Sequence, residues 1–192
     1  MEKGALAEQR VKLLAGLNGR VLEVGAGNGL NFAHYPAEVE LVHAVEPDPY
    51  LRGKAISAAK SAGVPIEVTD GTAESLPVDD ASFDAVVMSL VLCSVDQPPA
   101  LKEARRALKP GGRLHFLEHV RAETPWLERL QRAVDATIWP RLFGGCHTHR
   151  DTLAALNAAG FEVVRVDRFS IPESGLPSPA SPCILGVARR GV

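Results

Sequence analysis

The chain has 192 residues, a formal net charge of -2, and 46% hydrophobic and 23% charged residues. That length suits one domain with a continuous core, and the near-neutral balance removes the electrostatic basis for a general nucleic-acid or anionic-lipid binder. Cys93, Cys146 and Cys183 are widely spaced with no CxxC pair, which argues against a disulfide framework or a zinc knuckle and for reduced thiols in the cytoplasm.

The stretch before Arg20 has no apolar run long enough for a signal peptide or a membrane span. It reads as a short amphipathic helix, with Leu6, Val11, Leu13, Leu14 and Leu17 available for packing. The first strand is expected at Arg20–Val24, followed by a glycine loop and a short helix ending near Pro36. The second strand is Leu41–Val45. Asp48 then caps a helix with Pro49 at its first position, where a missing N–H costs nothing. That helix runs to about Ala62 and stops at Gly63. The third strand is Ile66–Thr69, and the fourth starts at Phe83. A helix over Pro98–Leu108 sets Leu101, Ala104 and Leu108 on one side and ends at the stop signal Lys109-Pro110-Gly111-Gly112. The fifth strand is Arg113–His119.

The alternation then lapses, and 121–149 reads as an insertion on the substrate side. Within it, Thr124-Pro125 opens a helix with a stripe of Leu127, Leu130, Val134 and Ile138 that ends near Pro140. Thr148, with Asp151 three residues on, resembles a capping box for a helix to Ala159, closed by Gly160. Phe161–Asp167 and Cys183–Ala188 read as the last strands. Between them lies a Pro/Ser-rich loop carrying Pro172, Pro177, Pro179 and Pro182. Alternating strands and helices without a repeat or linker predict one α/β domain over the whole chain. Its sheet is expected to be seven-stranded, mostly parallel, and covered on both faces.

The chemistry is densest in Val21–Gly29, V-L-E-V-G-A-G-N-G, a buried strand running into a turn with Gly25, Gly27 and Gly29. Glycine admits backbone angles closed to other residues and lets a ligand approach the main chain. Glu46, about 20 positions on, is placed to accept from a ribose diol. The dinucleotide fingerprint needs its third glycine where Leu30 stands, and neither Gly27 nor Gly29 precedes the lysine of a P-loop. The E-x-G-x-G-x-G form instead resembles motif I of the class I S-adenosylmethionine-dependent methyltransferases. Gly71-Thr72-Ala73-Glu74-Ser75-Leu76-Pro77, followed by Phe83-Asp84, and Ala107–Gly112 are similar to later motifs of that family. The resemblance covers about Val21–Gly112 and implies a Rossmann-like fold with S-adenosylmethionine as cofactor and S-adenosylhomocysteine as product. It also implies a cofactor site of Glu23, Gly25, Ala26, Gly27, Asn28, Glu46, Pro47, Thr72, Ala73, Glu74, Ser89 and Leu90. In that site Glu23 fixes the loop, and Thr72 stands where Asp is usual.

A narrower resemblance runs through Leu90–Val95, Phe116-x-Glu118-His119-Val120, Trp126, Gln131, Asp135, Trp139, Leu142-Phe143-x-Gly145-Cys146 and Arg150. This series is similar to the methyltransferase-like thiol S-methyltransferases of mammals, and it implies a small-molecule thiol or sulfide acceptor. Those proteins carry an N-terminal hydrophobic anchor that this chain is expected to lack. Methyl transfer is an in-line displacement, so holding nucleophile and methyl together supplies much of the rate. A thiol with a pKa near 8.5 already offers thiolate at neutral pH, where a phenol near 10 needs a base more. Val91, Leu92, Cys93 and Ser94, with Trp126, Trp139, Cys146 and His147, are the candidate acceptor lining. Packing is an equal account of the two tryptophans, and Cys93 reads as a small apolar residue more than as a nucleophile. His119, ending the fifth strand, is the candidate base, and Asp135 is a candidate to orient a histidine or meet substrate. Cys146-His147-Thr148-His149 cannot easily wrap one tetrahedral ion, so no metal is expected. Two alternatives stay open: an O- or N-methyltransferase of a small aromatic or polyketide-like metabolite, and a non-catalytic S-adenosylmethionine-binding partner subunit. A nucleic-acid substrate is not expected, because Ser89–Leu92 stands where amino-methylating enzymes carry Asn/Asp-Pro-Pro-Tyr/Phe. The expected assembly is a monomer or homodimer.

Overall fold

The structure is a computed structural model and describes residues 4–171 and 177–191. Seven strands form one sheet in the order β3-β2-β1-β4-β5-β7-β6. They are β1 Gly19–Val24, β2 Val39–Val45, β3 Ile66–Thr69, β4 Phe83–Ser89, β5 Leu108–His119, β6 Phe161–Ser170 and β7 Pro182–Arg190. β1 to β5 pair in parallel, while β7 runs antiparallel to both β5 and β6. This is the seven-stranded, mostly parallel sheet that the strand and helix alternation predicts.

Parallel strands covered on both faces must be apolar on both. In β4, Val86, Val87 and Met88 are all fully buried. Successive side chains point to opposite faces. Leu22, Val24, Val86, Met88 and Phe116 therefore enter one core with helix α3 (Gln97–Ala107), while Val21, Val87 and Leu117 enter a second with Leu13, Leu14 and Phe32. Leu13 and Leu14 belong to helix α1, Ala5–Leu14. Val11, expected to pack, is 52% exposed on the outer side of that helix.

Several boundaries differ from expectation for local reasons. The helix expected to reach Pro36 is a single 3-10 turn, Phe32–His34. Helix α2, Pro49–Ala59, starts as foreseen, with Asp48 Oδ1 accepting from the N–H groups of Tyr50 and Leu51, but closes three residues early. The Lys109–Gly112 turn lies within β5, where Gly111 takes φ +76° and the register against β4 shifts between Phe83 and Ala85.

The helix expected over 125–140 is two: α4, Pro125–Asp135, and α5, Trp139–Leu142. Pro140 has no N–H to continue the ladder, and the Thr137 hydroxyl bonds back to Ala133 O at 2.8 Å. Leu127 packs, but Leu130 is 39% and Ile138 55% exposed, while Gln131 is fully buried. Helix α6, Thr152–Ala158, is capped by Asp151, whose carboxylate accepts from Ala154 N. Thr148 is not its cap, because its hydroxyl is bonded to Asp135. Pro172 of the Pro/Ser-rich loop lies outside the described residues. Among the described residues, no helix is long and apolar enough to cross a membrane.

Candidate active site

In an open parallel sheet, ligands sit beyond the carboxyl ends of the strands where the strand order reverses. Here that point lies between β1 and β4. The glycine loop leaves β1 there and the Leu90 loop leaves β4. A cavity of about 360 Å³ opens between them, lined by Gly25, Glu46, Pro47, Thr72, Ala73 and Glu74 on one side. Leu90, Val91, Ser94, Val95 and Gly144 line the other.

The glycine loop is tied down from two directions. Gly25 and Ala26 donate their N–H groups to Val45 O at 2.8 and 3.1 Å. Glu46 Oε2 accepts from Gly27 N at 2.7 Å, and its Oε1 accepts from Asp48 N at 3.0 Å. The glycines differ in purpose. A Cβ on Gly25 would lie 2.6 Å from Val91 Cγ2, and one on Gly29 would lie 2.8 Å from the Phe32 ring. Gly27, at φ +57°, has nothing within 4 Å of where a Cβ would stand. Its bare backbone borders open space.

Beneath the loop, Glu23 accepts from Asn31 Nδ2 and from the Tyr35 hydroxyl, both at 2.7 Å. Burial pushes its pKa up to about 7, although both hydrogen bonds and the Arg10 charge pull it down. Arg10 continues the network by donating to Asn31 Oδ1 at 2.9 Å and Ser89 Oγ at 3.1 Å. Glu23 and Ser89 thus brace the loops from below, and neither they nor Ala26 and Asn28 line the cavity.

On the other wall, Leu90 takes φ 62° and donates to Leu117 O at 2.7 Å. Of the eight residues expected to line an acceptor pocket, Val91 and Ser94 face the cavity. Leu92 and Cys93 turn into the interior and are buried. The Cys93 thiol meets that of Cys146, which pushes the Cys93 pKa up and draws that of Cys146 down. His147 reaches the site through its backbone, donating N–H to Cys93 O at 2.7 Å.

The remaining candidates sit further out. His119 Nδ1 is 3.4 Å from Cys183 Sγ, and burial lowers its pKa, keeping the ring neutral at pH 7. Asp135 has both oxygens engaged: Oδ1 accepts from Thr148 N and Oγ1, and Oδ2 from His149 N. His147 Nδ1 stands 3.9 Å from that Oδ2. Trp126 is 55% exposed on α4, and Trp139 stacks on Phe143 at 4.2 Å between centroids. Neither tryptophan lines the cavity.

One residue of the site is new. Glu118, fully buried in β5, accepts from three consecutive backbone N–H groups, those of Val91, Leu92 and Cys93. It stands in the Phe116–Val120 stretch that carries the narrower resemblance, and a carboxylate inside the run F-L-E-H demands buried partners.

The donor set fits a nucleoside with a sulfonium tail. Open space above Gly27, a carboxylate at Glu46 and a hydroxyl at Thr72 suit sugar hydroxyls and an adenine amino group, while the carboxylate disfavours a pyrophosphate.

Comparison with known proteins agrees. Residues 22–116 match a family described as a methyltransferase domain. The chain is 37% identical over 167 residues to human thiol S-methyltransferase TMT1A, covering 83% of this chain and 68% of that protein. It is 36% identical over 187 residues to human TMT1B, covering 93% and 75%. A geranyl diphosphate methyltransferase solved in complex with S-adenosylmethionine shares the fold, with a TM-score of 0.74, 16% identity, and coverage of 96% of this chain and 84% of that one. The protein is therefore an enzyme that uses S-adenosylmethionine, and it belongs to the class I methyltransferases, in the group that contains TMT1A and TMT1B.

Proposed function

We propose that the protein transfers the methyl group of S-adenosylmethionine to the sulfur of a small, largely apolar thiol. The observation that carries this reading is the wall facing the cofactor cradle: Leu90, Val91, Ser94, Val95 and Gly144, without one charged side chain. The similarity to TMT1A and TMT1B, named as thiol S-methyltransferases, supports it. When a thiolate meets a sulfonium, opposite charges cancel in the transition state, and a dry apolar wall favours that change.

S-adenosylmethionine supplies an electrophilic methyl on a sulfonium sulfur. Glu46 and Pro47 would hold its ribose, and Thr72, Ala73 and Glu74 would meet its base. Gly25 to Asn28 would leave room for its tail, with Glu23 and Ser89 bracing them. Val91 and Ser94 set the acceptor against the methyl, while Cys146 and His147 back that wall through Cys93. Alignment of this kind is worth roughly 7–11 kcal/mol. His119 stands against Cys183 outside the cavity lining, and a thiol that arrives as thiolate needs no base from it. Asp135 acts by holding 148–149 in place. A cytoplasmic site of action is part of the same reading, since all three cysteines are free thiols.

The test is a panel of thiols, phenols and amines offered to the purified protein with S-adenosylmethionine. Methylated thiols, with apolar thiols ahead of charged ones, are expected. Transfer to phenols or amines and never to thiols would overturn the reading.

A further inference from the structure

A sharp turn leaves backbone donors that need partners. After β4 the chain reverses at Leu90 in the left-handed region, φ 62°, unusual for a residue with a side chain. The next three N–H groups converge on one carboxylate. Val91 and Leu92 donate to Glu118 Oε1, both at 3.0 Å, and Cys93 donates to Oε2 at 3.2 Å. Converging amides of this kind form an anion nest, here filled by the protein's own side chain.

What those residues hold gives Glu118 its reach. Val91 fills the space beside Gly25, under the cofactor cradle, and faces the cavity. Ser94, next in the chain, lines it too. Cys93 O takes His147 N–H, which ties the 143–147 segment to the same turn. One buried carboxylate at the end of β5 therefore sets the turn after β4 and, through it, the inserted segment.

We infer that Glu118 is the positioning residue for the acceptor: its ionised carboxylate holds residues 90–94 where a thiol can meet the methyl, and the enzyme is competent only while it is charged. This rests on the thiol reading for the identity of the acceptor. Protonation makes one oxygen a donor and a poorer acceptor, so at least one of the three bonds is weakened or lost. Burial pushes the Glu118 pKa up to about 8, with the three N–H groups opposing it. Competence therefore rises as pH climbs through that region.

The groups facing it are few. Cys93, on the turn after β4, and Cys183, on β7, both feel its charge, and both thiols are pushed up, Cys183 to about 12, so they stay neutral through that range. His119, next in β5, is pushed down and is already neutral. Cys146, behind Cys93, is drawn down and is the group whose titration must be told apart.

The experiment follows the backbone amides of Val91, Leu92 and Cys93 by NMR against pH in the full chain, for the wild type and for Glu118→Gln. Kinetics with two thiols of different acidity run alongside. In the wild type the three amides are expected to shift together with a midpoint near pH 8. In the Gln variant, which presents an NH2 to Cys93 N–H, that transition disappears. The wild-type kcat/KM is expected to show one limb that moves with the acidity of the thiol and one that does not. The variant loses the fixed limb, and its kcat drops by roughly 10–100-fold from misplacement. Amides that do not titrate near pH 8 in the wild type overturn the inference, whether or not the variant folds. So does an identical midpoint in the variant, which belongs to Cys146. A clean loss of the transition with no thiol turned over by the wild type supports Glu118 as the holder of the turn and refutes the thiol reading instead.

Discussion

Glu23 and Glu118 are two carboxylates buried in neighbouring parts of one sheet, and both have pKa values raised by burial, to about 7 and about 8. An unfolded glutamate titrates near 4.5. Between that value and the folded one, the native state binds the extra proton, so stability falls as pH rises. The unfolding free energy is expected to decline from about pH 5 to about pH 8, each group contributing a slope of up to roughly 1.4 kcal/mol per pH unit. Glu23→Gln is expected to flatten the lower part of that decline, as read by urea denaturation at a series of pH values. A stability that rises over this window contradicts the assignment. Holding a charged Glu118 under the turn above its raised pKa therefore costs the folded state stability. Gly27 makes a second residue-scale case. At φ +57°, a side-chain-bearing residue is strained, and its Cβ would stand in the open space beside the loop. Gly27→Val is expected to weaken S-adenosylhomocysteine binding by about tenfold or more, equivalent to roughly 1.4 kcal/mol or above. Calorimetry measures it. The glycines were legible in the sequence because each answers to a backbone requirement that no other residue meets. The role of Glu118 was not, although the residue lies in a stretch that carries the resemblance, because its partners are amides 25–27 positions away, and amides carry no letter of their own.

Among the elements, α4 shows where a periodic pattern misleads. Leu127, Leu130, Val134 and Ile138 suggest one buried stripe, yet the residue that buries most completely is Gln131. Its Oε1 accepts from Ala122 N at 2.8 Å, and its Nε2 reaches Val120 O, Thr148 O and Pro179 O. One amide side chain thereby joins the end of β5, the segment after α5 and the far side of the Pro/Ser-rich loop. Gln131→Leu keeps the volume and strands those backbone groups at about 1–3 kcal/mol each where they stay dry. A stability loss of about 3 kcal/mol is expected, along with faster amide exchange over 120–122 and 148–149. A variant as stable as the wild type rules out this stitching role. Pro140 and Thr137 break the helix beyond α4, and the proline was visible in the sequence. The helix expected to end near Pro140 breaks about one turn earlier, at 136–138.

At the scale of the whole molecule, the alternation of strands and helices was enough to foresee a mostly parallel sheet, because fully apolar strands such as β4 have no other stable home. The strand order is a long-range fact, and with it comes the position of the cavity between β1 and β4. The residues on its cofactor side came from motifs, and the structure brings Gly25, Glu46, Pro47, Thr72, Ala73 and Glu74 together at its rim. The acceptor side was read less well. The turn over Val91–Ser94 sends its outer pair to the cavity and Leu92 and Cys93 to the core, a split that no sequence period marks. A wall of Leu90, Val91, Ser94, Val95 and Gly144 selects nucleophiles that need no charged partner, which is the basis for expecting sulfur over oxygen.

That selection is tested most directly with an acceptor carrying both atoms: a phenol bearing an alkyl thiol on its side chain, incubated with the protein and methyl-labelled S-adenosylmethionine. The label is then located in the product by NMR. The methyl is expected on sulfur with the phenol untouched, and a methyl found on the phenol oxygen would contradict selection of sulfur by the apolar wall.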